Sequence, residues 1–541
     1  MTSALRVRWL GSVPYHEAEA LQRAIHERSD ADYLLLQEHP HVYTLGSRAD
    51  PSHVLRDPAS VGAGLVVADR GGDVTYHGPG QLVGYPIISL AAWRGGQRDV
   101  VAYVRKLESV LIAALADFGI EANAVPKYTG VWVDDCKIAA IGVRVARGRT
   151  RHGFALNVDT DLTMFEHIVP CGIRDRGVTS MARVLGHGPD MRTVVDRVVD
   201  RFAEAFGTTE IDRQDVVWRT PTGDVAPFTG SVTHDVPVRL LGRLAAAGVE
   251  SAVDPAARRP EWMRVHAHVD DEYLALKRLV RDLELHTVCE SAGCPNIYEC
   301  WADRTATFMI LGDRCTRACG FCLVDTRKPL VVDVDEPRRV GDAVAALGLA
   351  HVVITCVARD DLPDGGAEIF AATVDAVRAA SPSTAVELLI SDVKGDETSL
   401  AAIFTARPDV LNHNLETVAR LQGAARPSAG YARSLSVLAR AKDAGLVTKS
   451  GLILGMGETG EEVRSALRDL RAVGVDIVTI GQYLRPTGQH LPVARWWTPA
   501  EFDALRVEAS AMGFAHVEAG PLVRSSYHAR QGIDQLATAA G

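Results

Sequence analysis

Hydrophobic positions fall into two regimes along the chain. Up to about position 214, short apolar runs alternate with stretches of helical spacing. Asp32–Leu36 and Gly64–Asp69 read as strands, while Val100–Phe118 and Met191–Phe206 repeat their apolar residues at intervals of three and four. This predicts a mixed α/β domain. Between Asp215 and Ala257 the periodicity loosens into Thr, Pro, Gly and Ala, including Thr220-Pro221-Thr222-Gly223 and Asp254-Pro255, as at a domain junction. Beyond it, β-rich runs at Thr305–Leu311, Val352–Thr355, Val386–Ile390, Leu446–Leu454 and Val475–Ile480 alternate with helical stretches. The latter are Val340–Ala346, Ala367–Ala380, Arg433–Ala444, Glu461–Ala472 and Pro499–Met512. Such a repeat predicts a parallel sheet rolled into a partial (β/α) barrel, with chemistry at the carboxyl ends of its strands. The fold class is α/β throughout, with domains at 1–214 and 258–541 and a linker at 215–257.

A chain of 541 residues exceeds what one core can serve, in keeping with two domains. Hydrophobic residues make up 47% and charged residues 23%, and no apolar run approaches the roughly 20 residues of a membrane span. Met1–Leu10 holds two arginines but no apolar stretch followed by a small-residue cleavage site, which argues against export. A cytoplasmic protein that does not enter the membrane is expected. The net charge of -10, with scattered basic residues, disfavours a nucleic-acid binder and leaves room for local basic patches facing an acidic protein partner. Six of the nine cysteines lie between Cys289 and Cys322. In a reducing compartment this clustering means metal binding or catalysis rather than disulfides.

Cys315, Cys319 and Cys322 are spaced C-x3-C-x2-C in a loop with Gly312 and Gly320, directly after a predicted strand. Three thiolates hold three corners of a four-iron cluster and leave the fourth iron open, as a reaction centre requires. A structural zinc site needs a fourth ligand, and none follows Cys322 at a usual zinc-motif spacing. The loop resembles the signature of the radical S-adenosylmethionine family. That resemblance implies that the cofactor chelates the open iron and yields a 5'-deoxyadenosyl radical able to break an unactivated C–H bond.

Just upstream, Cys289, Cys294 and Cys300 are spaced C-x4-C-x5-C in CESAGCPNIYEC. Joined to the radical loop, and to TATFMILGDRCTRACGFC, RDDLPDGG, LNHNLETV, TKSGLILGMGET, TIGQYLRPTGQHLPV and RSSYHA, this trio makes the segment Arg259–Ala529 resemble the lipoyl synthases. The family pattern implies two 4Fe–4S clusters, one of them an auxiliary cluster that donates sulfur. The auxiliary ligands would be the upstream trio and a serine of the last motif, Ser526, with Ser525 as the alternative. Asn412 and Glu416, at the end of a strand-like segment, are candidates for holding S-adenosylmethionine, with satisfied loop residues as a nearly equal alternative. Cys356 and Ala358 stand where Ser and Asp are expected before RDDL, and SDVKG at Ser391–Gly395 replaces a Pro-Asp-aromatic turn. Cys356 reads most simply as a small buried hydrophobe.

In the first domain Cys171, in IVPCGI, and Lys137, in DCKIAAIGVRV, are the reactive pair to consider. A thiol accepts an acyl group as thiolate, and a nearby ammonium favours that form and relays a proton. On chemistry alone a buried structural thiol is the simpler account. The surroundings reverse this: EHPHVYTLG, RGGDVTYHGPGQLVGYP, GVWV, KIAAIG and HGFALNV make about Val7–Phe206 resemble lipoyl(octanoyl) transferases.

The resemblance implies Cys171 as nucleophile and Lys137 as general acid/base. An acyl pocket would be lined by Arg70, Gly71, Gly72, Asp73, Val74, Thr75, Tyr76 and His77, then Ala140, Ile141 and Gly142, and Gly153, Phe154 and Ala155. Glycine amides of RGG and HGPG could bind an oxyanion. His77 reads equally as a structural histidine. Cys136 faces away from Lys137 on a strand and is expected to be inert.

Together the resemblances imply a fusion of two consecutive steps. Octanoyl passes from octanoyl acyl carrier protein to a lipoyl-domain lysine, and sulfur is then placed at C6 and C8. Lipoyl domains of 2-oxoacid dehydrogenase complexes, the glycine cleavage H protein and an electron donor are the expected partners. The rival readings are a lipoate or biotin ligase, a radical sulfur inserter of the biotin synthase kind, and a zinc-stabilised scaffold that only binds lipoyl domains.

Overall fold

Tyr33, Leu34, Leu35 and Leu36 are all buried, as expected of a strand covered on both faces, and the computed structural model places Tyr33–Glu38 inside a sheet. The structure describes residues 4–90, 99–218, 228, 236–254, 257–264, 277–278, 281–283, 285–288, 296–302, 304–532 and 535. The chain forms two compact units, Met1–Trp218 and Arg219–Gly541.

The main sheet of the first unit runs in the order Ile211–Asp215, Leu5–Ser12, Tyr33–Glu38, Gln81–Ile87, Arg149–Asn157, Cys136–Ala146, Tyr128–Val133, Asn123–Val125, with Gly177–Val178 paired beside Cys136–Lys137. Helices Val100–Ala116 and Met191–Phe206 bury Leu107, Leu111, Val195 and Phe202 against its Val7, Leu34 and Leu156. Asp99 and Asp190 start these helices by accepting the amides of Ala102 and Thr193. A second sheet sets Val42–Leu45 between Gly64–Val67 and Val74–His77. Strand alternation sends Val74 and Tyr76 into an apolar cluster with Tyr43, Met164 and Phe165.

In the second unit eight strands lie side by side in chain order: His286–Thr287, Thr305–Ile310, His351–Cys356, Ala385–Leu389, Val410–Asn412, Thr448–Leu454, Ile477–Gln482 and His516–Gly520. All but the first pair in parallel. Helices fill the connections, so this is the expected (β/α) layout, and no pairing closes its two edges among the described residues. Sequence reading missed the helix Glu397–Thr405 and the strand His516–Gly520. The helix is short and apolar on most sides, so it lacks a stripe; the strand is half-buried at the sheet edge. The stretch expected to be a loose junction contains an ordered helix, Val238–Ala246, whose Leu240, Leu241 and Leu244 are buried. Arg420 holds the Ala247 carbonyl beyond its end, and Val253 donates to the Val493 carbonyl at 2.7 Å. No helix among the described residues is long and apolar enough to cross a membrane.

Four polar side chains, none more than 2% exposed, meet inside this second sheet: His351, Glu387, Asn412 and Lys449. Lys449 Nζ is 3.0 Å from Glu387 Oε2, Asn412 Nδ2 donates to Glu387 Oε1 at 2.8 Å, and His351 Nε2 is 3.6 Å away. Burial pushes the Glu387 carboxyl up, but Lys449 and these donors outweigh it and hold the pKa at about 2. A depressed carboxyl stabilises the fold above its ordinary value of 4.5, and that contribution is lost as pH falls towards 2. Lys449→Met strands the buried charge, an expected loss of about 3–5 kcal/mol. Urea unfolding of the full chain should show it as an earlier second-unit transition, largely recovered by adding Glu387→Gln.

Candidate functional site

In the first unit the reactive thiol sits on a turn. Pro170–Gly172 is a single 3-10 turn in which Cys171 takes a left-handed conformation (φ 56°, ψ 20°) followed by Gly172 (φ 71°). A non-glycine residue there is strained, so the surroundings must impose it. They do: the Val169 amide donates to the His53 carbonyl at 2.8 Å, and Ile173 and Gly172 donate back to Pro170 and Val169. A Cβ on Gly172 would stand 2.8 Å from Asp73 Oδ2.

Cys171 lines two adjoining spaces. One, of about 470 Å³, is walled by Arg70–Asp73, Thr75, His77, Ala140–Gly142 and Gly153–Ala155. These are the expected pocket residues except Val74 and Tyr76, which strand alternation turns into the core. Tyr15, Val83, Tyr85 and His152 also line it and were missed; Tyr15 begins a helix far upstream, and no local motif marks it. The other space, of about 280 Å³, brings Lys137 and Cys171 to one cavity with Thr75, Ala140, Ala155, Asn157 and Phe165. Lys137 is 8% exposed, with Nζ 5.0 Å from the Trp132 ring centre. Cys136 lies apart, against Gly177. His77 Nδ1 is 2.7 Å from Gln81 Oε1, and burial drives its pKa well down, which matches the structural reading of that ring. The Gly71 amide, a candidate for the oxyanion, is spent on the Val143 carbonyl at 3.0 Å.

In the second unit Cys315, Cys319 and Cys322 follow the strand Thr305–Ile310. Cys315 Sγ accepts the amides of Ala358 at 3.3 Å and Arg317 at 3.4 Å. Burial pushes the Cys319 thiol up to about 12 and raises that of Cys322. Thiols this buried become thiolates when a metal binds them, so the donor set fits an iron–sulfur cluster. Among the described residues no three His, Cys, Asp or Glu side chains are set to hold one ion. Ligands of a four-iron cluster bind separate irons and stand wider apart.

The loop is clamped by Arg317, 8% exposed, whose Nε and Nη2 reach both oxygens of Asp360 at 2.8 Å and whose Nη2 reaches Asp392 Oδ1 at 2.6 Å. Asp392 belongs to the SDVKG turn, where Val393 and Lys394 have φ of 38° and 56°, and Lys394 Nζ donates to the Asp360 carbonyl at 2.7 Å. The Cys356 thiol is half-buried and is pushed up to about 12 by desolvation.

Asn412 points to Glu387, with Oδ1 buried and without a hydrogen-bond partner among the described residues. Glu416 is half-buried, and desolvation raises its pKa against the lowering effect of Arg426 and Asn414. Asn414, two residues before Glu416 and missed in the sequence, donates to Ser525 Oγ at 2.7 Å. Cys289 and Cys294 lie outside the described residues. Cys300 is on the helix Ile297–Ala302, and the RSSYHA turn is tied to that helix: Tyr527 Oη donates to Glu299 Oε1 at 3.1 Å, and Asn296 Nδ2 to the Leu522 carbonyl at 2.7 Å.

Residues 14–203 match the lipoyl protein ligase A/B catalytic domain and residues 309–470 the radical SAM superfamily. The chain is 57% identical over 293 residues to the lipoyl synthase of Mycobacterium tuberculosis, which covers 54% of this chain and 94% of that protein. It belongs to the lipoyl synthase family. This lipoyl synthase family member also carries a ligase A/B-type catalytic domain at its N-terminal end, so it is a fusion enzyme of transferase and lipoyl synthase type in lipoate biosynthesis. Family membership implies 4Fe–4S chemistry and S-adenosylmethionine. Among solved structures, lipoate-protein ligase A bound with ATP is 19% identical, covering 40% of this chain and 90% of its own at a TM-score of 0.33. Methylornithine synthase is 15% identical, covering 46% and 79% at a TM-score of 0.32.

Arg317→Met leaves two carboxylates unpaired, one fully buried. Anaerobic reconstitution of that variant should bind less iron per chain than the unaltered protein, and Arg317→Lys, which keeps the charge but not the fork, should fall between them.

Proposed function

We propose that the chain performs two consecutive steps on one acyl group. In the first unit, Cys171 takes octanoyl from octanoyl acyl carrier protein as a thioester and passes it to a lipoyl-domain lysine, with Lys137 as general acid/base. The carrying observation is that Cys171 and Lys137 line one cavity, with the thiol also at the mouth of the larger cleft. The sulfur of Cys171 attacks the carbonyl carbon, the carrier thiolate leaves and takes a proton from Lys137, and the incoming lysine amine gives up a proton in the return step. A ligase has no need of such a thiol.

In the second unit, Cys315, Cys319 and Cys322 would hold one cluster, and Cys289, Cys294, Cys300 and Ser526 the auxiliary one. When bound, the first cluster with S-adenosylmethionine supplies the radical that opens C–H bonds at C6 and C8. Asn414 occupies the hydroxyl of Ser525, and no hydrogen bond to Ser526 Oγ is present among the described residues, which supports Ser526 as the ligand. Glu416 would face the cofactor, while Asn412 would act from below through Glu387. The modified proteins would be the lipoyl domains of 2-oxoacid dehydrogenase complexes and the glycine cleavage H protein, with an electron donor reducing the cluster. Covalent linkage raises the effective concentration of the second activity near a carrier that the first has just modified.

Under anaerobic conditions the full chain, supplied with octanoyl acyl carrier protein, an apo lipoyl domain, S-adenosylmethionine and a reductant, should add octanoyl and then two sulfurs to the carrier by mass. Cys171→Ser should abolish both octanoyl transfer and the trapped acyl-enzyme; full transfer by that variant would refute the thioester route.

A further inference from the structure

Arg70 is a buried cation that makes no salt bridge among the described residues. Its side chain is 7% exposed, and its partners are all neutral: Nε donates to Thr44 Oγ1 at 3.1 Å, Nη2 to the Thr44 carbonyl at 2.6 Å and Oγ1 at 2.7 Å, and Nη1 to the Gly71 carbonyl at 3.2 Å. A guanidinium has five N–H groups, so one on Nη1 has no acceptor among the described residues. The adjacent carboxylate, Asp69, is engaged by His152 at 2.7 Å, Arg151 and Arg144. Asp73 on the same wall is held by His53 Nδ1 at 2.6 Å and by the Val74 amide at 2.7 Å. Burial lowers the Arg70 pKa, and the charges of Tyr15, Cys171, Tyr85 and Asp73 offset part of that lowering. A buried charge without a counter-ion costs free energy, and such a group is retained where an anion forms in use.

The other ionisable groups facing the cleft do not supply that charge. His77 is driven neutral by burial, and Tyr15 and Tyr85 are pushed up so that they stay protonated. His152 is bound to Asp69, and Lys137 stands in the adjoining cavity beside Trp132. The Gly71 amide is already used by Val143.

We propose that Arg70 is the anion holder of the acyl-transfer site, steadying the Cys171 thiolate before attack and the oxygen of the tetrahedral adduct after it. This rests on Cys171 being the nucleophile. As the sulfur bonds to the carbonyl carbon, the carbonyl electron pair moves to oxygen; on collapse it returns, and the carrier's C–S bond breaks. Negative charge thus passes from sulfur to oxygen to the leaving sulfur within one cleft, and the fixed guanidinium, with its one open Nη1 N–H, steadies that charge as it moves.

The test is peptide-resolved alkylation of Cys171 by iodoacetamide between about pH 5 and pH 10 in the full chain, with octanoyl transfer measured alongside. Arg70→Gln is expected to raise the alkylation midpoint by about one pH unit or more, a roughly ten-fold loss of thiolate at a given pH, and to lower kcat by about 10²–10³ with the KM for the carrier unchanged. Arg70→Lys keeps the charge without the fork: its midpoint should stay within about half a unit of the unaltered chain while kcat falls about ten-fold. A folded Arg70→Gln with an unmoved midpoint, or an Arg70→Lys that transfers at the original rate, overturns the proposal. If the unaltered chain gives no octanoyl on Cys171, the nucleophile reading has failed instead, whatever the alkylation profile of the variants.

Discussion

A thiol reacts or binds metal as thiolate, and a thiolate inside a protein needs positive charge brought to it. Both units are arranged around that constraint and meet it differently. In the first, Lys137 shares a cavity with Cys171, and Arg70 lines the cleft beside it. In the second, burial raises the pKa of the Cys319 and Cys322 thiols, and a bound cluster would supply the charge that turns them into thiolates. Arg426 acts on Cys319 in the lowering direction but is outweighed by desolvation, and Arg317 is committed to Asp360 and Asp392.

The backbone work also differs. Presenting Cys171 means holding a side-chain-bearing residue in the left-handed region, which the His53 and Val169 backbone contacts hold in place, while Asp73 leaves no room for a Cβ at Gly172. The cluster loop needs no such strain at its cysteines. Positive φ angles occur instead two strands away, at Val393 and Lys394, in the turn that carries Asp392 to Arg317.

What could be read from the sequence followed from periodicity and spacing. The parallel repeat, the two long helices of the first unit and the cysteine loop are local patterns, and they stand where those patterns put them. A strand motif treated as a continuous lining failed at Val74 and Tyr76, because a pleat shows only every second residue to the cleft. Tyr15 and Asn414 escaped notice because their importance comes from residues far away in the chain, Arg70 for one and Ser525 for the other. The closeness of Cys300 to the RSSYHA turn, through the contact of Glu299 with Tyr527 across 228 positions, is likewise tertiary. Family resemblance linked those segments without showing how they meet.

The Arg317 clamp bears on how the cysteine loop keeps its shape. Among the described residues the arginine reaches its two carboxylates, Gly320 donates to Ala425, Leu491 to Gly320 and Thr316 to Ala358. Two of these anchors, Asp360 and Asp392, belong to turns that follow other strands, so a change at either carboxylate reaches the cysteines without touching them.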